Sequence, residues 1–279
     1  MMIHSLDYFT SLVRQDDSIP LFEAALSIAQ GMSAQLDLMA VQLEVDALAQ
    51  RLQQRLPADA SDLQKVRLLN HFFYRELGFG PNLNNFYDPD NSYLDRVIAT
   101  RRGIPISLAL IYMELAQQVG LEFRGISFPG HFLMKLPLTA GAIVLDPLNG
   151  ASLSQADLEE RLLPYVQQQP DMTEVPVTQF LQAATTREIL VRMLHNLKAI
   201  FLESQQWKAL LEVQQRLMIL LPDEITERRD RGSAYAMLEC PLAALQDLEA
   251  YVHARPNAAD ASDIRARLPQ LRAASQRLN

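Results

Sequence analysis

Between Gly120 and Pro147 the apolar residues change their spacing. On either side they recur three and four apart, as they do on one face of a helix. Within this stretch they form short extended blocks, 122–128, 131–136 and 142–145, separated by Gly and Pro. Blocks of that length joined by turns imply a small antiparallel sheet, packed on the helix that precedes it. One strand-forming island in 279 residues makes the chain mainly α with a small sheet, an α+β class. Composition agrees, because ten glycines are few for this length and Leu, Ala, Gln, Arg and Glu fill the remainder.

Residues 1–79 read as three amphipathic helices. Leu21, Phe22, Ala25, Leu26 and Ala29 form one stripe, and Val41, Val45, Leu48 and Leu52 a second. Leu63, Val66, Leu69, Phe73 and Leu77 form the third. Pro20 suits a first turn and Pro57 a break, and the polar run 58–62 offers an N-cap. Residues 78–92 are crowded with turn formers. They predict a structured loop in which Leu83, Phe86 and Tyr87 act as anchors, and long loops of this kind border sites. Helices are expected at 92–100 and 105–119, the second stopped by Gly120.

Helix resumes near 152, after a loop assigned Pro164, Pro170 and Pro176. Ile189, Leu190, Met193, Leu194, Leu197, Ile200 and Phe201 mark one buried face. Beyond it the sequence repeats. Pro222 and Pro256 stand 34 residues apart, and Phe201, Ala209 and Leu211 match Tyr235, Ala243 and Leu245 at the same offset. That is the period of the tetratricopeptide helix–turn–helix unit. Two units need docking or a cap, expected as a helix near 260–276. The chain therefore divides into 1–180, with a core at 81–150, and 181–279, the helical repeats.

Net charge of −8 and a pI near 5.2 oppose phosphate-backbone binding, and Arg228-Arg229 reads as a solvated helix face. A single cysteine, Cys240, excludes an internal disulfide and a cysteine metal cluster. The scattered histidines, His4, His71, His195 and His253, lack metal-ligand spacing, so neither metal nor cofactor is expected. No apolar run is long enough to span a membrane, and residues 1–7 lack the pattern of a signal peptide; a cytoplasmic protein is expected.

Chemistry concentrates in three segments, 102–112, 128–133 and 144–147. The first holds Gly103, Pro105 and Ser107, the second Pro129-Gly130-His131, the third Asp146-Pro147. A helix, then a strand bearing His, then a strand ending in Asp-Pro resembles the transglutaminase-like, papain-related core. That resemblance implies a cysteine at the helix start, activated by the helix dipole, a histidine to take its proton, and an Asp to orient the imidazole. His131 and Asp146 match the last two roles. The nucleophile's column falls on Pro105, which has no reactive group. Ser107 lies about 200° further round the helix. It reads either as a capping group or as a substitute nucleophile. His131 reads either as a structural residue bonded to Asp146 or as a ligand-binding one. Arg101 and Arg102, beside the helix start, are either solvent-facing or placed to meet an anion; Tyr87 and Asn91 border the same region.

Taken whole, with Asn91-Ser92-Tyr93-Leu94 and Arg229-Asp230-Arg231-Gly232 as further matching segments, the chain resembles the bacterial SirB-type family. These proteins join a helical N-terminal part, a cysteine-less transglutaminase-like core and tetratricopeptide repeats. The resemblance implies a fold, and a non-catalytic interaction or regulatory scaffold that binds a protein or peptide through the core groove or the repeats. The alternative is a hydrolase or acyl transferase using Ser107 with His131 and Asp146.

Overall fold

The structure, a computed structural model, describes residues 5–33, 35–139, 141–168 and 175–277; Pro170 and His4 lie outside them. The chain opens with α1 (Ser5–Leu12), α2 (Leu21–Ile28), α3 (Leu38–Gln53) and α4 (Asp62–Asn70). Pro20 immediately precedes α2. Ser61 caps α4 through a capping box with Gln64, as the polar run predicted.

After Asn70 the helix widens into a π-helical turn, His71–Glu76. The inserted residue rotates the chain, so that Phe72 and Phe73 are both fully buried. This corrects the single α-helical stripe expected through Leu77. Leu63, read as part of that stripe, is 50% exposed.

A two-residue parallel pair, β1 (Gly80–Pro81) with β2 (Arg102–Gly103), pins the loop that follows. Between them lies α5 (Leu94–Thr100), and α6 (Pro105–Gln118) follows with Pro105 in its first turn. Gly120 ends α6 at φ +76°. The sheet is β3 (Arg124–Phe128), β4 (His131–Leu138) and β5 (Gly141–Leu145), antiparallel in that order, with a Pro129-Gly130 turn opposing Phe128 to His131.

The two sheet faces bury different partners. Phe132, Met134 and Leu136 join the main core with Leu108, Ile111 and Leu115 of α6. Ile126, Phe128, Leu133 and Val144 pack with Leu158 and Leu162 of α7 (Gln155–Gln168). Pro164, assigned to a loop from sequence, lies inside α7.

The remaining helices are α8 (Thr186–Glu203), α9 (Trp207–Leu220), α10 (Ile225–Met237), α11 (Pro241–Ala254) and α12 (Ala261–Arg277). The 34-residue period is visible in their geometry. Both α9 and α11 begin and end one period apart, and so do the left-handed residues Gln205 and Glu239. The N–H of Gln206 donates to the Phe201 carbonyl at 2.9 Å, and that of Cys240 to the Tyr235 carbonyl at 2.9 Å. Arg228 and Arg231 both donate to the buried carboxylate of Asp247, and Arg229 to Asp260. These arginines knit α10 to its neighbours, which corrects their reading as a solvated face.

The repeats share the main core. Leu190, Met193, Leu194 and Leu197 of α8 are buried with α2 and α6. Ile189 lies over Gly125, where a Cβ would stand 2.9 Å from its Cδ1. The guanidinium of Arg187 donates to the carbonyls of Val13 at 2.9 Å and Leu220 at 3.0 Å, tying α1 and α9 to α8.

Candidate functional site

The first two sequence segments meet at the start of α6, where Pro105 shares a cleft with Gly130 and Phe132, and the third ends β5 against α7. Ser107 is fully buried. Its hydroxyl donates to the Asn91 carbonyl at 2.6 Å and accepts from the Ile104 N–H at 3.1 Å. It closes the first turn of α6 onto the preceding loop. Gly103 makes room for it, since a Cβ there would stand 2.7 Å from the Ser107 oxygen.

Asn91, 3% exposed, organises that loop. Its amide donates to the carbonyls of Asn85 at 2.7 Å and Phe86 at 3.2 Å, and accepts from Asn82 at 3.0 Å. The expected anchors are instead on the outside: Leu83 is 88% exposed, Tyr87 72% and Phe86 48%. The loop is held by Asn91 and by Phe79, stacked on Phe73, and it presents its apolar side chains outward. Apolar residues inside a loop read as anchors from sequence because exposure is set by the backbone bonds that Asn91 makes.

His131 stands opposite Phe128 in the sheet, and their rings lie 6.4 Å apart. Directly opposed residues share a face, so His131 is on the α7 side with Leu133. Asp146, two residues beyond Val144, is on that face too. The expected bond between them is not formed. The Oδ2 of Asp146 accepts from Arg161 of α7 at 2.6 Å, and its Oδ1 accepts from the Leu148 N–H at 2.9 Å. The turn that follows is fixed from α4 and the π turn: Asn70 donates to the Gly150 carbonyl at 3.0 Å and Tyr74 to that of Pro147 at 3.0 Å. Burial holds the imidazole of His131 below its ordinary pKa. Arg161 and Arg192 push the same way and Asp146 opposes them.

Arg101 and Arg102 brace the loop. Arg101 pairs with Glu44 at 3.1 Å and lies over the Phe79 ring, while Arg102 donates to the Gly78 carbonyl at 2.6 Å. Pro105 lines a cleft of about 250 Å³ between the loop, the 129–130 turn and α8, with Phe86, Tyr87 and Phe132 on the core side. Arg192, Asn196, Ile200 and Glu203 form its α8 wall.

Of the residues predicted from sequence, Tyr87 and Pro105 thus meet at the cleft, whereas Asn91 and Ser107 build the frame behind it. Arg161 and Arg192 were missed. The spacing of 192, 196, 200 and 203 along one helix flank was the available signal. Among the described residues, no group of His, Cys, Asp and Glu has the geometry to hold a metal, and no helix is long and apolar enough to cross a membrane.

Residues 39–195 match the model of the transglutaminase-like superfamily, and residues 197–269 match a tetratricopeptide repeat model. A UPF0162 protein of Xylella fastidiosa (strain Temecula1) is 35% identical over 92% of this chain and 91% of its own. Another, of Pseudomonas aeruginosa, is 33% identical over 82% of each chain. Protein SirB1 of Salmonella typhimurium is 27% identical over 81% of this chain and 82% of its own. No solved structure matches.

Proposed function

The chain belongs to the transglutaminase-like superfamily, with SirB1 and the UPF0162 proteins as relatives, and on that premise we propose that it is a non-catalytic interaction scaffold. It binds a protein or peptide in the cytoplasm through the core cleft, the repeats or both, without contacting nucleic acid directly. The reading rests on Pro105 at the column where the superfamily's mechanism needs a nucleophile. A proline in the first turn of α6 stabilises the helix and offers neither a thiol nor an N–H. The neighbouring chemistry supports it: the Ser107 hydroxyl is buried against backbone, and the Asp146 carboxylate is taken by Arg161. The acidic charge and the tetratricopeptide match support a protein partner over a nucleic acid.

A second reading keeps the hydrolase or acyl transferase with Ser107, His131 and Asp146. Its support is that His131 and Asp146 remain on one sheet face. One experiment separates the two. A photo-crosslinking amino acid replaces Tyr87 in cells, and a fluorophosphonate probe is applied to the purified chain. The scaffold reading expects a discrete crosslinked protein and no labelling of Ser107. Labelling that Ser107→Ala abolishes, without any crosslink, overturns it in favour of the enzyme.

A further inference from the structure

Arg192 differs from the other half-buried or buried arginines of α7, α8 and α9. Arg161 pairs with Asp146, Arg187 with Asp16 and Arg216 with Glu212. Among the described residues, no carboxylate lies within ion-pair distance of Arg192. Its Nη1 donates to the Phe128 carbonyl at 3.3 Å, and its guanidinium lies over the Phe132 ring, 5.8 Å from the centroid. Burial lowers its pKa, and only the Tyr165 phenol opposes that shift. A partly desolvated cation without a counter-charge is costly, and a planar guanidinium suits a carboxylate. In a chain of net charge −8, the missing partner is the more notable.

Along α8 the cleft runs from Arg192 past Asn196 and Ile200 to Glu203, and Phe86, Pro105 and Phe132 give it an apolar lining. Glu203 lines the far end, 11 residues along α8, which at 1.5 Å per residue is ~16 Å from Arg192. An extended segment rising ~3.3 Å per residue covers that span in about five residues. Phe86, Tyr87 and Ile200 line the cleft, and Phe86 and Tyr87 are themselves exposed. A single guanidinium, with Pro105 lacking an N–H at the helix start, fits one carboxylate better than a phosphate.

Building on the scaffold reading, we propose that this cleft takes an extended segment of a partner protein, about five residues long. An Asp or Glu side chain of that segment sits on Arg192, and its apolar side chains rest against Phe86 and Ile200.

The test is an array of ten-residue peptides acetylated and amidated at their ends, so that only side-chain carboxylates are present. It is probed with the full chain and with Arg192→Gln, Arg192→Lys and Tyr87→Ala, and affinities are measured in solution by fluorescence polarisation. Wild type is expected to select Asp or Glu next to aromatic or branched apolar residues. Arg192→Gln is expected to lose about tenfold in affinity and the acidic preference, with Arg192→Lys between the two. Tyr87→Ala is expected to weaken every selected peptide. If Arg192→Gln fails to fold, the lysine and Tyr87 variants carry the same comparison. Selection without an acidic preference, or one that survives Arg192→Gln, overturns the proposal and leaves the scaffold reading standing, since a segment has bound. So does binding insensitive to Tyr87→Ala, which places the segment elsewhere. A requirement for a free C-terminus in a matched uncapped array also overturns the side-chain assignment. An array from which nothing is selected overturns this proposal, while the scaffold reading is decided separately by the crosslinking and probe-labelling experiment.

Discussion

The guanidinium of Arg161 donates to Oδ2 of Asp146 at 2.6 Å, joining α7 to the end of β5 across the face that carries His131. The carboxylate that the sequence resemblance assigned to orient the imidazole is therefore paired with an arginine of α7 instead. Asp146 is 5% exposed, so removing its partner strands a buried charge. Arg161→Leu is expected to destabilise the fold by about 2 kcal/mol, read from the denaturant midpoint.

His131 titrates below the ordinary imidazole range because it is partly buried and faces Arg161 and Arg192. Protonation is thus harder in the folded chain than in the unfolded one. Stability present at neutral pH is expected to fall as pH drops below about 6.5, where the unfolded imidazole takes its proton first. Unfolding midpoints at pH 7.5 and 5.5 should converge in His131→Gln relative to wild type. In the NMR titration of His131, Arg192→Gln should raise the midpoint.

If Pro105 stands at the nucleophile's column, as proposed, Pro105→Cys places a thiol at a helix start that favours the thiolate. The other parts of the relay remain elsewhere: Asp146 stays on Arg161, and His131 faces α7. A thiol-reactive dye should count one more accessible thiol than the exposed Cys240 of wild type. Hydrolysis of a p-nitrophenyl ester should stay at the wild-type rate.

Asn91→Ala strips the loop of the amide that satisfies the carbonyls of Asn85 and Phe86. A cost of about 1–3 kcal/mol is expected. Hydrogen exchange should rise first over 83–88, ahead of α6, and peptide affinity at the cleft should fall with it.

Gly130 sits at φ +65°, and a Cβ there would overlap the Tyr165 hydroxyl. Gly130→Ala combines backbone strain with a clash and should cost about 2–4 kcal/mol, measured by thermal unfolding. Gly78, also at positive φ but with open space around it, is the control: Gly78→Ala should show the backbone part alone.

Much of this fold was readable because it depends on local signals. Gly120 ends a helix through its own backbone freedom, Ser61 and Gln64 cap one within four residues, and the 34-residue period survives in turn geometry at Gln205 and Glu239. What sequence could not give depends on contacts between distant segments. The π turn at 71–76 shifts the buried face so that Phe72 and Phe73 both point inward, and no apolar spacing announces it. Arg161 reaches Asp146 from a helix whose packing on the sheet is a tertiary fact. Arg192 was hidden by its helix: the apolar face of α8 dominates the pattern, and a lone arginine on its flank reads as solvated. Loop exposure failed for the same reason, because Phe86 and Tyr87 are turned outward by an asparagine four or five positions away.

α8 buries one face in the main core, seats Ile189 over Gly125, and offers a flank to the cleft while its end turns into the first repeat. It is a wall shared by two rooms: the side chains that hold the repeats to the core and those that line the cleft, Asn196, Ile200 and Glu203, stand on one helix. A core substitution that shifts α8 therefore shifts the cleft lining with it.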